Sequence, residues 1–294
     1  MVVIVDMSSN SRLLSDSSTY HQWLDSIVSF ANSHLLMSSL NKLTVIGTNS
    51  YENKILYPIN ESNDKQIDIN RTSNEGQYEV FHRVLNTIKS NLEIMTENSS
   101  QLSQSESHRN SSSPLMSGAI AMALCLIQRF KDDHNCSRIV IMSCTSDQSN
   151  SYASQYMNFM NCFFTAQKLG VTIDACIAGD DSYTTSTSLL QQGCDLTDGT
   201  YLKVANISSL LEYLLWCLLP ESTTRSKLVL PVRQKVSHSA ACFCHRNIID
   251  IGFVCSVCLS IFCSFSPICS TCHTIFKLGP LPTANKSKKK TKTQ

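Results

Sequence analysis

Short runs of β-branched residues alternate with longer segments of helical period over the first 220 residues of the chain. The runs predict strands at residues 2–6, 43–47, 54–58, 138–143, 171–177 and 199–204. Apolar residues that recur every three to four positions predict helices at 19–37, 77–95, 115–131, 152–169, 186–193 and 207–218. This alternation is typical of a doubly wound α/β fold, in which helices cover both faces of a mostly parallel sheet.

One strand is expected to run against the others. The run at residues 55–57 follows the strand at 43–47 after a turn that contains Tyr51, Glu52 and Asn53. Because a connection this short can form only a hairpin, the sequence predicts an antiparallel strand at the edge of the sheet. Pro58 is compatible with an edge, where its missing N–H group is tolerated.

Polar segments divide the chain into domains. Residues 60–76 and 97–113 are rich in Ser, Asn, Asp and Glu and are predicted to be loops. The lysine cluster near the end of the chain is typical both of a nuclear import signal and of a solvated basic end. The predicted organisation is an α/β domain at 1–220, a linker at 221–240, a cysteine-rich module at 241–280 and a basic disordered tail at 281–294.

The charge of the chain is almost balanced, with 24 lysine and arginine residues against 23 acidic residues in 294. This balance gives no general signal for nucleic acid binding, so DNA contact is expected to be at most indirect. No uncharged apolar stretch reaches the roughly 18 residues of a membrane helix, and residues 210–219 are interpreted as a buried helix. The residues from Val2 onward lack the basic region and the small-residue cleavage site of a secretory signal. The sequence therefore indicates a cytosolic or nuclear protein without a membrane partner.

Seven of the 14 cysteines crowd into residues 242–272. The pairs Cys255-x-x-Cys258 and Cys269-x-x-Cys272 have the spacing of two metal-binding turns, which together would supply four thiolates to one zinc ion. A second ion has a weaker candidate set, in which His245 could instead cap a turn and the cysteine spacings are unusual. The order of the two sets along the chain would suit a cross-braced arrangement, and the second set is Cys242, Cys244, His245 and Cys263.

The apolar residues of this module outnumber what so small a unit can bury. We therefore expect part of its surface to dock onto a partner protein, although a small self-contained core is the alternative. The residues concerned are Ile248, Ile249, Ile251, Phe253, Val254, Leu259, Ile261, Phe262, Phe265 and Ile268.

Oxygen-bearing side chains follow two predicted strands of the α/β domain, and Ser113 precedes the predicted helix at 115–131. The carboxyl ends of parallel strands form the usual ligand crevice of this fold, and Mg²⁺ prefers oxygen ligands. The alternative is that the acidic residues cap helices and turns. The candidate Mg²⁺ ligands are Asp6, Ser8, Asn10, Ser113 and Asp147.

Motifs of catalysis are missing from the sequence. It has neither a glycine-rich phosphate loop, nor a nucleophile elbow, nor paired His and Glu residues on a helix. Zinc held by four thiolates has no open position for water. We therefore predict that the chain is not an enzyme.

Several stretches carry a resemblance to a known family. The start of the chain, with Asp-x-Ser-x-Asn after the first strand, is similar to a von Willebrand A-type domain, and it is followed here by a zinc finger. More specifically, the chain resembles the smaller von Willebrand A-containing core subunits of the general transcription and DNA-repair factor TFIIH. The stretches are Gln155-Tyr-Met-Asn-Phe-Met-Asn-Cys162, Ile173-Asp-Ala-Cys176, Leu211-Glu-Tyr-Leu-Leu-Trp216 and Ala241-Cys-Phe-Cys-His-Arg-Asn247 through Cys272.

The resemblance implies a nuclear scaffold subunit that acts in RNA polymerase II transcription initiation and nucleotide excision repair. It implies that the larger von Willebrand A and RING-bearing subunit is the direct partner, with the helicase subunits nearby and catalysis carried out by other subunits. Asn10 stands where the adhesion-type metal sites of this fold have serine, and Ser113 stands where threonine is usual. These departures weaken the prediction of a Mg²⁺ site.

Two other functions fit parts of the sequence. A RING-type ubiquitin ligase would explain the cross-braced order of metal ligands, and it would need two zinc ions and a groove for a conjugating enzyme. A metal-dependent adhesion module would explain Asp6 and Asp147 but leaves the cysteine module without a role.

Overall fold

The computed structural model describes residues 1–7, 17–58, 76–105, 115–130, 137–144, 155–178, 189–231, 236, 240–245 and 247–276. The chain divides into two compact units, Met1–His238 and Ser239–Gln294. Among the described residues, no helix combines the length and the apolar composition that a membrane span requires.

A six-stranded sheet forms the centre of the first unit, with the strand order β3-β2-β1-β4-β5-β6. Strand β3 pairs with β2 in the antiparallel direction, and all other neighbours are parallel. The antiparallel edge strand predicted from the short turn is therefore confirmed. The strands are β1 Val2–Asp6, β2 Thr44–Thr48, β3 Asn53–Tyr57, β4 Arg138–Ser143, β5 Thr172–Ala178 and β6 Tyr201–Val204.

Helices cover both faces of this sheet because its central strands are apolar on both sides. On one face, Val3 and Val5 of β1 pack in a core with Trp23 and Phe30. Phe159 and Phe163, also buried, belong to the layer in which α3 packs against α4. The helices are α1 Ser17–Met37, α2 Gly76–Ser105, α3 Met116–Arg129, α4 Tyr156–Leu169 and α5 Leu189–Leu196.

Most predicted boundaries agree with the structure to within a few residues, but the end of α2 does not. Residues 97–105, predicted to lie in a loop, continue this helix to Ser105. The prediction failed because polar composition indicates exposure rather than conformation, and this stretch contains neither proline nor glycine to end a helix. The other predicted loop residues, 60–75 and 106–113, lie outside the described residues.

Three short helical segments follow β6, where one buried helix was predicted. A 3₁₀ turn, Ile207–Ser209, leads into α6, Leu210–Tyr213, and then into a π-helical turn, Leu214–Leu218. Leu210, Leu214 and Leu218 face the core, whereas Trp216 remains 69% exposed and Tyr213 is also exposed. The prediction of a buried helix is thus wrong for one side of the segment, whose aromatic residues point to solvent.

A buried ion-pair network ties the next residues to the sheet. Asp174 in β5 is fully buried and accepts hydrogen bonds from Arg138 Nε at 2.6 Å and from both terminal nitrogens of Arg225 at 2.8 and 2.9 Å. Arg225, at the end of α7 (Ser222–Arg225), also donates through Nε to the carbonyl oxygen of Pro220. Residues at the start of the predicted linker are therefore bonded to the first unit.

The network keeps its carboxylate ionised. Burial opposes the charge on Asp174, but the hydrogen bonds of Arg225 and the charges of both arginines outweigh it and lower the pKa of this carboxyl. The backbone N–H of Thr200 donates a further hydrogen bond to Asp174 Oδ1 at 2.8 Å. Sequence reasoning missed the network because its three members are far apart in the chain and belong to no motif.

Candidate metal centre

Hairpin turns organise the cysteines of the second unit. Strands β7 (Ala240–Ala241) and β8 (Ile248–Ile249) pair on either side of the first turn, and β9 (Phe253–Val254) and β10 (Ile261–Phe262) pair on either side of the second. A single bridge between Ile268 and Ile275 closes the third. In each turn, the N–H of the first cysteine donates to the carbonyl oxygen five residues later at 2.9 Å, and these pairs are Cys242 with Asn247, Cys255 with Ser260 and Cys269 with Thr274.

Two of these turns share a further detail of the backbone. Leu259 and His273 have φ angles of 60° and 59°, and their N–H groups donate to the carbonyl oxygens of Cys255 and Cys269 at 2.9 Å. The chain thus curls tightly after each Cys-x-x-Cys pair, which brings both thiols of a pair to one side. This left-handed conformation is uncommon for residues other than glycine, so local interactions must hold it in place.

Four thiols from the second and third turns converge on one point. Their sulfur atoms all lie within 4.8 Å of one another, with 3.7 Å between Cys255 Sγ and Cys272 Sγ and 3.5 Å between Cys258 Sγ and Cys269 Sγ. We call these four residues the inner tetrad. A tetrahedral zinc ion with bonds of about 2.3 Å would place its sulfur ligands about 3.8 Å apart, so the set fits a zinc-sized ion. The sulfurs are much further apart than the roughly 2 Å of a disulfide.

Hydroxyl groups beside the inner tetrad favour the thiolate form that binds metal. The hydroxyl of Ser260 lies 3.1 Å from Cys258 Sγ, and together with the backbone of Ser260 it lowers the pKa of the Cys258 thiol to about 6. Thr274 has the equivalent position, 3.1 Å from Cys272 Sγ, and it lowers the pKa of that thiol in the same way. Such supporting hydrogen bonds orient metal ligands and fix their protonation state.

The remaining candidates form a second cluster, which we call the outer tetrad: Cys242, Cys244, His245 and Cys263. Its ligand atoms also lie within 4.8 Å of one another. Cys263 Sγ lies 3.4 Å from Cys244 Sγ and 3.2 Å from His245 Nδ1. Cys242 is buried and Cys263 half-buried, whereas Cys244 and His245 are exposed. Both predicted sets are therefore brought together, and each could hold a metal ion.

Comparisons with known proteins cover both units. Residues 1–273 match the family model described as transcription factor Tfb4. The chain belongs to the Tfb4 family. It is 36% identical to the general transcription and DNA repair factor IIH subunit tfb4 of Schizosaccharomyces pombe, over 96% of this chain and 90% of the relative. General transcription factor IIH subunit 3 of Dictyostelium discoideum is 33% identical, over 92% of this chain and 72% of the relative.

A solved structure supports the fold of this Tfb4-family chain. The N-terminal domain of TFIIH p34 is similar with a TM-score of 0.50 and 20% sequence identity, over 73% of this chain and 95% of that one. The doubly wound, mostly parallel α/β sheet and the family predicted from sequence are both confirmed. The names of the relatives give no support to the ubiquitin ligase alternative.

The candidate Mg²⁺ site of the Tfb4-family chain is described only in part. Asp6, at the carboxyl end of β1, is buried and accepts a 2.6 Å hydrogen bond from the hydroxyl of Ser143, at the end of the neighbouring β4. Its buried carboxylate thus has a partner within the protein. The other candidates lie outside the described residues, so the site stays a prediction; they are Ser8, Asn10, Ser113 and Asp147.

The predicted surplus of apolar surface is present on the second unit. Phe262 packs with Cys255 and Cys269 in a small core, and Ile249 and Ile261 are half-buried. Six of the ten residues singled out from the sequence are exposed, and Val257 and Ile275 add to this surface. The six are Ile251, Phe253, Val254, Leu259, Phe265 and Ile268.

Proposed function

We propose that this Tfb4-family chain is a non-catalytic structural subunit of the TFIIH core complex. It would act in the nucleus, in RNA polymerase II transcription initiation and nucleotide excision repair, through contacts with other subunits. The single observation that carries this proposal is the 36% identity to a transcription and repair factor IIH subunit over 96% of the chain. That match includes both the α/β unit and the cysteine-rich unit.

The surface chemistry of the second unit supports a role in assembly. Among residues 247–276, Asp250 is the one side chain of the types Asp, Glu, Lys and Arg, while eight large apolar residues of this stretch are exposed. Depletion of charge together with exposed aromatic and aliphatic groups is characteristic of the core of protein–protein interfaces. The exposed Trp216 of the first unit is a second candidate anchor, because tryptophan is enriched among residues that dominate binding energy.

Zinc is the ion we assign to the inner tetrad. Four cysteines with Cys-x-x-Cys spacing and tetrahedral sulfur distances suit zinc better than magnesium or calcium, which prefer oxygen. The ion would fix the relative positions of two hairpin turns whose own core is very small. Its role is structural, because four protein ligands leave no coordination position open for a substrate or water.

The larger von Willebrand A and RING-bearing subunit of TFIIH is the partner we propose for direct contact, with the helicase subunits close by. The balanced charge of the chain, 24 basic against 23 acidic residues, supports contact with proteins rather than directly with DNA. Interfaces of obligate complexes are large and apolar, which matches the exposed surface of the second unit.

Co-expression of the full chain with the larger subunit tests this proposal. We expect one stable complex of both chains in size-exclusion chromatography with light scattering, and poor solubility of the chain without its partner. The double variant Val257→Ser/Leu259→Ser should weaken the complex, and Val229→Ser, a fully exposed apolar position of the first unit, is the matched control. A soluble monomer that fails to bind any core TFIIH subunit would overturn the proposal.

A further inference from the structure

The first cysteine turn repeats the two Cys-x-x-Cys turns, with histidine in place of the second cysteine. Its sequence, Ala-Cys-Phe-Cys-His-Arg-Asn-Ile at 241–248, aligns with Val-Cys-Ser-Val-Cys-Leu-Ser-Ile at 254–261 and Ile-Cys-Ser-Thr-Cys-His-Thr-Ile at 268–275. In this alignment, His245 corresponds to Cys258 and Cys272. The three turns also share the same closing backbone hydrogen bond and the same pairing of the residues that flank them.

Because His245 aligns with Cys258 and Cys272, we expect it to have the same role as a metal ligand. In the second and third turns, the two cysteines of each Cys-x-x-Cys pair direct their sulfur atoms into the inner tetrad. The same positions of the first turn, Cys242 and His245, direct Sγ and a ring nitrogen into the outer tetrad. This position favours a ligand role for His245 over the alternative that it caps a turn.

The fourth ligand comes from a different place. Cys263 follows β10 directly and has serine, Ser266, at the position where a second ligand of its own turn would stand; this hydroxyl donates to the carbonyl oxygen of Ile268 instead. Cys244, inside the first turn, completes the set at 3.4 Å from Cys263 Sγ. The outer tetrad thus takes three ligands from one turn and one from after the next hairpin.

We propose that Cys242, Cys244, His245 and Cys263 bind a second zinc ion, which exchanges more readily than the ion of the inner tetrad. Three thiolates and one imidazole are a common ligand set of structural zinc. Zinc bonds of about 2.3 Å to sulfur and about 2.0 Å to nitrogen correspond to ligand separations of roughly 3.5–3.8 Å, close to the 3.2 and 3.4 Å found here. Faster exchange follows from exposure, because Cys244 and His245 are open to solvent whereas Cys255 and Cys269 of the inner tetrad are buried.

The two sites interlock along the chain. Their ligands alternate along the chain in the order outer, inner, outer, inner, so the outer ion would join residues on both sides of the β9–β10 hairpin, which carries Cys255 and Cys258 of the inner tetrad. Removal of the outer ion would free residues 242–245 from Cys263 and leave the inner tetrad intact. This inference is independent of the proposed subunit role, since bound metal is counted without reference to any partner.

Metal content of the purified full chain tests the second site directly. Elemental analysis against quantified protein should give two zinc ions per chain, and one ion per chain would overturn the proposal. His245→Ala and Cys263→Ser should each reduce the count to one, and His245→Cys should restore two. Cys125→Ser, at an exposed free cysteine of α3, is the matched control and should keep two. A count of two that persists in both His245→Ala and Cys263→Ser would assign the second ion elsewhere.

Two further measurements distinguish the two sites: the spectrum of the Co²⁺-substituted chain and the kinetics of zinc release. After replacement of zinc by Co²⁺, the ligand-field bands should contain a component from three sulfurs and one nitrogen, at shorter wavelength than that of a four-sulfur site. Release to a chelating dye should occur in two phases of equal amplitude, and the fast phase should be absent from His245→Ala. A spectrum from four-sulfur sites alone would exclude His245 as a ligand, and a single release phase for two ions would contradict the difference in exchange.

Discussion

The two units of the chain differ in what fills their interior. The Met1–His238 unit buries Trp23, Phe30, Phe159 and Phe163 between a six-stranded sheet and its helices. In the described part of the second unit, the hydrophobic cluster of buried residues is formed by Cys255, Phe262 and Cys269. A unit with so little apolar interior cannot offset the conformational entropy lost on folding without other links.

Buried polar groups also have different roles in the two units. In the first unit, the network around Asp174 joins β4, β5 and α7 within a structure that already has a large apolar core. In the second unit the thiols are the interior, and the metal they would bind replaces a hydrophobic core. Zinc binding of this kind has an apparent free energy of about 10–16 kcal/mol in small zinc-binding peptides, which is comparable to the whole stability of a domain.

Loss of an inner ligand should produce the largest effect. Cys269→Ser removes a buried thiol of the inner tetrad, and we expect the second unit to unfold while the first unit keeps its own unfolding transition. Limited proteolysis should cut rapidly within residues 242–274 and spare the sheet. Cys125→Ser is the control, and equal protease resistance of Cys269→Ser and the control would contradict the role of this thiol.

Asp174→Asn should destabilise the first unit and leave the second unit unchanged. The change leaves Arg138 and Arg225 facing an uncharged group in a buried site, and breaking a buried ion pair typically costs about 3–5 kcal/mol. Denaturant unfolding should show this loss in the first unit, with an unchanged metal content in the second. Glu212→Gln, an isosteric change at an exposed residue of α6, should stay within about 0.5 kcal/mol of wild type.

Trp216→Ala should weaken binding to the partner subunit while it leaves the stability of the chain almost unchanged. Because this side chain is 69% exposed, its removal should change the free energy of unfolding by less than about 1 kcal/mol. If Trp216 is an anchor for the partner subunit, the affinity should fall by about 2 kcal/mol, or roughly thirtyfold, in a titration with that subunit. Leu40→Ala, at an apolar residue that is 87% exposed, is the control.

Acid should weaken the first unit before it protonates Asp174. Burial, and then the charge of the N-terminal amine, lower the pKa of His34 from its ordinary 6.5 to about 4. Between those values the unfolded chain binds a proton that the folded chain does not, so stability falls as the pH drops from about 6.5 to 4. His34→Gln should flatten the stability curve in this window, whereas His21→Gln, at an exposed position of the same helix, should leave its slope unchanged.

Sequence patterns predicted the sheet well because its strands are apolar on both sides and its helices have one apolar stripe. They failed where conformation depends on contacts distant in sequence. Nothing in the run that contains Asp174 indicates that two arginines from other elements reach it, and the polar end of α2 looks like a loop. Trp216 looked buried because a π-helical turn alters which residues of an apolar segment face the core.

The convergence of the inner thiols was predictable for a different reason. Cys-x-x-Cys spacing is a local property, so the inner tetrad could be proposed from sequence alone. The outer tetrad was a weaker prediction, because the Cys-x-Cys spacing is unusual and the ligand role of His245 had an alternative in capping a turn. The repeat Cys-x-x-[Cys/His]-x-[Asn/Ser/Thr]-Ile was a signal in the sequence that could have revealed it.

Hydrogen exchange measured with and without a strong zinc chelator tests the difference between the units most directly. We expect chelation to remove amide protection within residues 242–274, including the N–H groups of Cys255 and Cys269, and restored zinc to return it. Protection of the sheet strands should not change. Full protection of the cysteine turns in metal-free protein would contradict the account, because the second unit would then fold without metal.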